Sequence, residues 1–184
     1  MIITVSGPHG TGKSTYAAKL ASALGLRHVS AGQLFRKLAK EKGYSLEQFG
    51  QLAAEDPAID RVVDEETMKE AEKGDLVIDG QLTGWVLREV ADLRIYLTAP
   101  ENIRFERIAE RDRMGIEEAR KLTLQREKVQ NERYKKHYGL RLEDRTIYHI
   151  ILDTSFLPQA DTEKVLLTLA ISVRDNKARR TKKA

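Results

Sequence analysis

Cysteine is absent from all 184 residues. That excludes disulfides, a thiolate zinc site and a cysteine nucleophile. Histidine is scarce, standing only at positions 9, 28, 137 and 149, without metal-ligand spacing. No apolar run approaches the ~18 residues of a membrane span, and the N-terminus has none of the pattern of a signal peptide. These absences imply a cytoplasmic protein with no membrane partner. There is also little excess of one charge: 32 Lys and Arg stand against 28 Asp and Glu, a net +4. Part of that excess lies in the segment 176–184, which reads as a disordered basic tail. A basic tail is compatible with nucleic acid, but solvated charge is the simpler reading, so no nucleic-acid partner is expected. The length suits one domain with a real core.

What the chain does contain is Gly7-Pro8-His9-Gly10-Thr11-Gly12-Lys13-Ser14, followed by Thr15. The run fits G-x-x-x-x-G-K-[ST], the P-loop pattern. A β-branched strand candidate at 2–5 precedes it, and a helix over 14–24 closed by Gly25 follows. A glycine-rich turn that binds nothing is the alternative, and the context of strand, loop and helix argues against it. The glycines let backbone N–H groups meet phosphate oxygens at a helix N-terminus that already favours anions. Residues Gly7 to Thr15 would therefore cradle ATP. Lys13 would reach the β- and γ-phosphates, and the Ser14 hydroxyl would face Mg²⁺.

Further along, strands are expected at 27–29, 76–80, 93–97 and 147–152. Between the second and third, residues 32–73 read as helices only, which suggests a small mobile subdomain. Within it Ser45 and Gln48 form a capping box, and Asp56-Pro57 opens a helix whose narrow apolar face is Ile59, Val62 and Val63. A helix runs over 100–113. A charged helical stretch follows over 116–138, with a possible break near Thr123, and a last helix begins at 161. Strands alternating with helices imply an α/β fold, a five-stranded parallel sheet covered on both faces. One kinase-sized domain, 1–175, is expected before the tail.

Chemistry-bearing residues accompany the P-loop. Asp79 ends an apolar strand, where P-loop enzymes place an acid for Mg²⁺. Arg107 and Arg111 lie one helical turn apart, and Arg126 and Arg133, seven apart, share a face if that segment is helical. Arg36 stands one turn into the helix after Ser30-Ala31-Gly32. Any one of these is commonly a surface charge. As a set beside a P-loop they fit bidentate phosphate contact and transition-state charge.

On these motifs the chain resembles the nucleoside monophosphate kinases, and most closely the cytidylate kinases of archaeal type. The resemblance also rests on 29–36, on Val77-Ile78-Asp79-Gly80-Gln81-Leu82-Thr83-Gly84-Trp85, on Leu97-Thr98-Ala99-Pro100 and on Asp153-Thr154-Ser155. It implies that Ser30, Gly32, Gln33 and Arg36, with Gly80, Gln81 and Gln130, contact the monophosphate acceptor. It also implies that 32–73 is the closing NMP-binding subdomain and about 112–139 the lid region. Arg107 and Arg111 would serve the lid side, and Arg126 and Arg133 would clamp the transferring phosphoryl group, these four with Lys13 forming the catalytic set. The chain departs from the family pattern at Lys13, where threonine is expected, and at Gln33, Gln81, Gln130 and His149. The glutamines surround the acceptor pocket, so they leave the base open.

A monophosphate oxygen is ionised near neutral pH, with a second pKa of about 6, so no general base is required. The implied reaction is ATP with CMP or dCMP giving ADP and CDP or dCDP. Partners are then ATP with Mg²⁺ and a nucleoside monophosphate, and a monomer is expected. Phosphorylation of AMP or another nucleotide, of a small-molecule hydroxyl, or an NTP-driven role on RNA particles remain open at this point.

Overall fold

β1 (Ile2–Ser6) is the strand from which both the sheet and the site are built. The computed structural model describes residues 1–141 and 144–181. After β1 come α1 (Lys13–Leu24), β2 (Arg27–Ser30), α2 (Ala31–Glu41), α3 (Leu46–Glu55), α4 (Pro57–Glu72) and β3 (Leu76–Asp79). The chain continues through α5 (Thr83–Val86), β4 (Leu93–Thr98), α6 (Glu101–Asp112), α7 (Ile116–Tyr138), β5 (Ile150–Asp153) and α8 (Gln159–Thr181). The strands form one sheet in the order β2-β3-β1-β4-β5, and every pairing is parallel. β1 sits between β3 and β4, so the winding direction reverses there. In such sheets ligands bind outside the carboxyl ends at that switch point.

The period of two along each strand divides the core between the faces. Ile3, Val5, Val77 and Ile95 pack against Tyr16, Ala17, Leu20 and Ala21 of α1 and Leu166 and Ala170 of α8. On the opposite face Leu76 and Ile78 meet Ala71 of α4 and Leu87 and Ala91. The register sets Val5 and Ser30 on either side of Asp79, so the carboxylate ends its strand within the sheet rather than at an edge.

Local chemistry explains the helix ends. Gly25 takes a left-handed φ of 67° and its N–H bonds the last carbonyls of α1. Ser45 and Gln48 exchange both bonds of the capping box at α3, and Asp56 accepts from the Ala58 N–H ahead of Pro57 in α4.

Several expectations are corrected. α7 is unbroken through Thr123, which is buried instead of marking a hinge. β5 starts at Ile150, not 147, because the chain first turns: the Tyr148 N–H bonds the Arg145 carbonyl, and Asp144 accepts from Thr146. Residues 176–181 are helical, as part of α8, rather than disordered; Lys177 is tied to Asp92 at 2.7 Å, and 182–184 lie outside the described residues. The inward face of α4 is Asp60, Val63, Thr67 and Ala71, while Val62 is exposed. A pattern sought among apolar residues alone misses it, because that face fronts a polar cavity. No helix among the described residues is long and apolar enough to cross a membrane.

Candidate active site

A cavity of about 1020 Å³ opens at the carboxyl ends of the strands. His9, Gly10, Gly12, Lys13, Ser14 and Thr15 face it, while Gly7, Pro8 and Thr11 shape the loop from behind. Gly7 is required by close approach, since a Cβ there would stand 2.1 Å from the Leu97 carbonyl oxygen at a φ of 143°. The Thr11 hydroxyl donates to the Pro8 carbonyl at 2.9 Å, which closes the turn. Lys13 Nζ donates to the same carbonyl at 2.8 Å. Burial lowers the Lys13 ammonium to about 8, against the opposing pull of Asp79 and Glu127.

Beside the lysine, Ser14 Oγ donates to Asp79 Oδ2 at 2.7 Å and Ser30 Oγ donates to the same oxygen at 3.1 Å. His28 Nε2 lies 2.8 Å from Asp79 Oδ1. A serine hydroxyl and a carboxylate are hard oxygen donors, and they suit Mg²⁺, which keeps most of its waters and takes few protein ligands. His28 carried no signal in the sequence. Its contact with Asp79 exists only because β2 and β3 are neighbours.

The outer side of the P-loop is held by charges that sequence reasoning passed over. The His9 N–H donates to Glu127 Oε1 at 3.1 Å, and the His9 carbonyl accepts from Arg104 Nη1 at 2.9 Å. Arg104 and Glu127 in turn pair at 2.7 Å, with Arg104 only 4% exposed. On helices with many charges, α6 and α7, nothing local marks Arg104 as buried or Glu127 as its partner. The His9 ring sits between the two glutamines, Nε2 lying 2.9 Å from Gln130 Oε1 and 3.0 Å from Gln81 Nε2. Burial, then the charges of Lys13 and Arg126, hold this imidazole well below its ordinary pKa, so it is neutral.

The remaining sequence-selected residues also gather here. Ser30, Gly32, Gln33, Arg36, Gly80, Gln81 and Gln130 line the cavity, as do Arg107, Arg111, Arg126 and Arg133. The arginines differ in state. Arg107 is braced, donating to Thr154 Oγ1 and to the Thr154 carbonyl, both at 2.8 Å. Arg111 forks onto Asp112 at 2.7 and 2.6 Å. Arg133 is buried over the rings of Phe35 and Tyr134, its Nε 3.1 Å from Asp60 Oδ2. Arg36 and Arg126 have no hydrogen-bond or ion-pair partner among the described residues. Burial, then the charge of Arg36, pushes the Arg126 pKa down. Two unpartnered guanidinium groups that repel one another beside a P-loop lysine make a site for a multiply charged anion.

The model of the cytidylate kinase-like family matches residues 2–156. The chain belongs to that family. It is 42% identical over 166 residues to the cytidylate kinase of Staphylothermus marinus, covering 90% of this chain and 94% of the relative. With the cytidylate kinase of Ignicoccus hospitalis it shares 46% identity over 165 residues, 89% of this chain and 96% of the other. Among solved structures, shikimate kinase from Bacteroides thetaiotaomicron superposes with a TM-score of 0.62 at 12% identity, covering 95% and 98% of the two chains. A gluconokinase from Sinorhizobium meliloti gives a TM-score of 0.61 at 16% identity, covering 96% and 95%. At those identities the likeness concerns the fold alone, that of the P-loop kinases. The family membership carries the acceptor class further than the fold does.

Proposed function

We propose that the protein phosphorylates CMP and dCMP at the expense of ATP. The observation that carries this reading is one cavity holding Lys13 of the P-loop together with the unpartnered Arg36 and Arg126. ATP would lie along the P-loop, its phosphates on the N–H groups that precede α1. Lys13 would leave the Pro8 carbonyl for the β- and γ-phosphates. Ser14 and Asp79 would hold Mg²⁺, which would supply charge neutralisation to the phosphates when bound.

On the acceptor side, Arg36 would grip the monophosphate, with Ser30, Gly32, Gln33 and Gly80 at the carboxyl ends of β2 and β3 shaping its approach. Arg126 would neutralise the phosphoryl group in transit, with Arg111 released from Asp112 as a second cation from the lid side. Arg107, braced on Thr154, positions the loop after β5. Gln81 and Gln130 orient His9 and through it the loop. Asp79 is engaged by two serines and a histidine, so it is not placed as a free base for a hydroxyl acceptor. An ionised monophosphate needs none. Catalysis would then be positioning plus charge neutralisation in a site that closure makes dry. We place α2 to α4 as the NMP-binding subdomain, about 112–139 as the lid region, and the protein in the cytoplasm as a monomer.

Steady-state assays against CMP, dCMP, UMP, AMP, GMP and shikimate test this. CMP or dCMP should show the highest kcat/KM. A tenfold preference for a purine monophosphate, or ADP release independent of any acceptor, would overturn it.

A further inference from the structure

Two buried side-chain atoms on the walls of this cavity, Thr67 Oγ1 and Gln81 Oε1, lack a partner among the described residues, while Asp60 Oδ2 and Arg133 Nε beside them are paired with each other at 3.1 Å. Buried polar groups are nearly always satisfied, so a set of unsatisfied ones facing one space marks where a ligand completes the bonding. Thr67 belongs, with the Asp60–Arg133 pair, to the wall made by α4 and α7. Asp64, one turn from Asp60 on the same face of α4, adds a further carboxylate to that wall. Its Oδ2 accepts from the Tyr138 hydroxyl at 2.6 Å, and Oδ1 has no partner among the described residues. Gln81 is different, because its amide nitrogen lies 3.0 Å from His9 and keeps it beside the P-loop.

Resting on the reading of the protein as a CMP kinase, we propose that the Asp60–Asp64–Thr67 face of α4 reads the acceptor base, with Asp64 accepting from the 4-amino group of cytosine. The chemistry of the wall favours that edge. Cytosine presents a donor at N4 beside acceptors at N3 and O2. Carboxylates accept only, whereas the Thr67 hydroxyl and the Arg133 guanidinium donate to the acceptor side of the ring. Uracil would set an oxygen against Asp64 and is rejected by like polarity. Burial raises the Asp64 pKa only to about 6, so the carboxylate is ionised and an acceptor at neutral pH. Asp60 acts through Arg133, which it holds at 3.1 Å over the Phe35 ring, and is a positioning residue. Phe35 immediately precedes Arg36, so the base wall and the phosphate cation are fixed by the same turn of α2.

The test is kcat/KM for CMP and for UMP, measured in the full chain as wild type and as Asp64→Asn. Asparagine still accepts from Tyr138 but also offers a donor to the O4 of uracil. The ratio of CMP to UMP should fall at least tenfold in Asp64→Asn, with the KM for ATP within about twofold of wild type. A merely structural carboxylate would weaken both pyrimidines alike and leave the ratio unmoved. A wild type that prefers CMP together with an Asp64→Asn ratio within twofold of it overturns this inference and spares the kinase reading. A wild type without preference for CMP overturns the functional reading itself. Should Asp64→Asn not fold, Thr67→Val carries the test: at least a threefold loss of CMP kcat/KM at unchanged ATP KM is expected, and an unchanged value sinks the proposal.

Discussion

Ser14 donates its hydroxyl to Asp79 across 2.7 Å, joining the first turn of the P-loop helix to the end of β3. The two residues are 65 positions apart, and together they form the oxygen pair suited to Mg²⁺. Asp79→Asn keeps the shape and the acceptor for Ser14 but removes the charge. The variant should fold, with a melting temperature within a few degrees of wild type. Its kcat should fall by about two orders of magnitude, the range seen for loss of a group aimed at developing charge. The Mg²⁺ concentration for half-maximal rate should rise. An unchanged Mg²⁺ titration curve would remove Asp79 from the metal site.

Lys13→Ala deletes the cation opposed to the transferring phosphoryl group. The rate should fall by about a hundredfold or more while circular dichroism remains that of the wild type. Turnover close to normal in a folded Lys13→Ala protein would defeat the reading of the P-loop as a catalytic phosphate cradle.

The free protein holds the Lys13 ammonium at about 8, and a bound triphosphate would favour its charged form. The sign follows directly. Between about pH 8 and the higher pKa of the complex, the complex binds more protons than free protein and nucleotide. ATP binding should therefore take up a proton near pH 8, and affinity should fall as pH rises above 8. Calorimetry in two buffers of different ionisation enthalpy measures the uptake. Lys13→Met should abolish it, and equal enthalpies in both buffers for the wild type would refute the coupling.

Arg36 has no hydrogen-bond or ion-pair partner among the described residues, whereas Arg107 is engaged by Thr154. Arg36→Ala should raise the KM for the monophosphate by tenfold or more and that for ATP by less than threefold. Arg36→Lys should restore only part of the loss, since an ammonium cannot make the forked contact. Equal changes in both KM values would place Arg36 outside the acceptor site.

Features whose physics is local were legible in the chain. A P-loop needs only glycines in order, a lysine and a helix to follow, and these lie within a few residues of each other. The same holds for the Ser45–Gln48 capping box, for Gly25 as the stop of α1, and for the apolar runs that became β1, β3 and β4. The sequence also brought Arg36, Arg107, Arg126 and Arg133 to attention, and all four line the cavity.

What each group does was decided by its neighbours in space. Arg126 and Arg133 are alike in sequence, seven residues apart on one helix. Yet Asp60 of α4 engages Arg133, while no described residue hydrogen-bonds or ion-pairs with Arg126. His28 reaches Asp79 because the sheet order makes β2 and β3 adjacent. Arg104 and Glu127, hidden among surface charges in the sequence, clasp the His9 backbone because α6 and α7 pack beside the P-loop. Local propensity and spacing act over a few residues, so the chain alone determined the motif and most element boundaries. Burial, partner and charge state depend on distant segments brought within a few ångströms, and only the tertiary structure decided those.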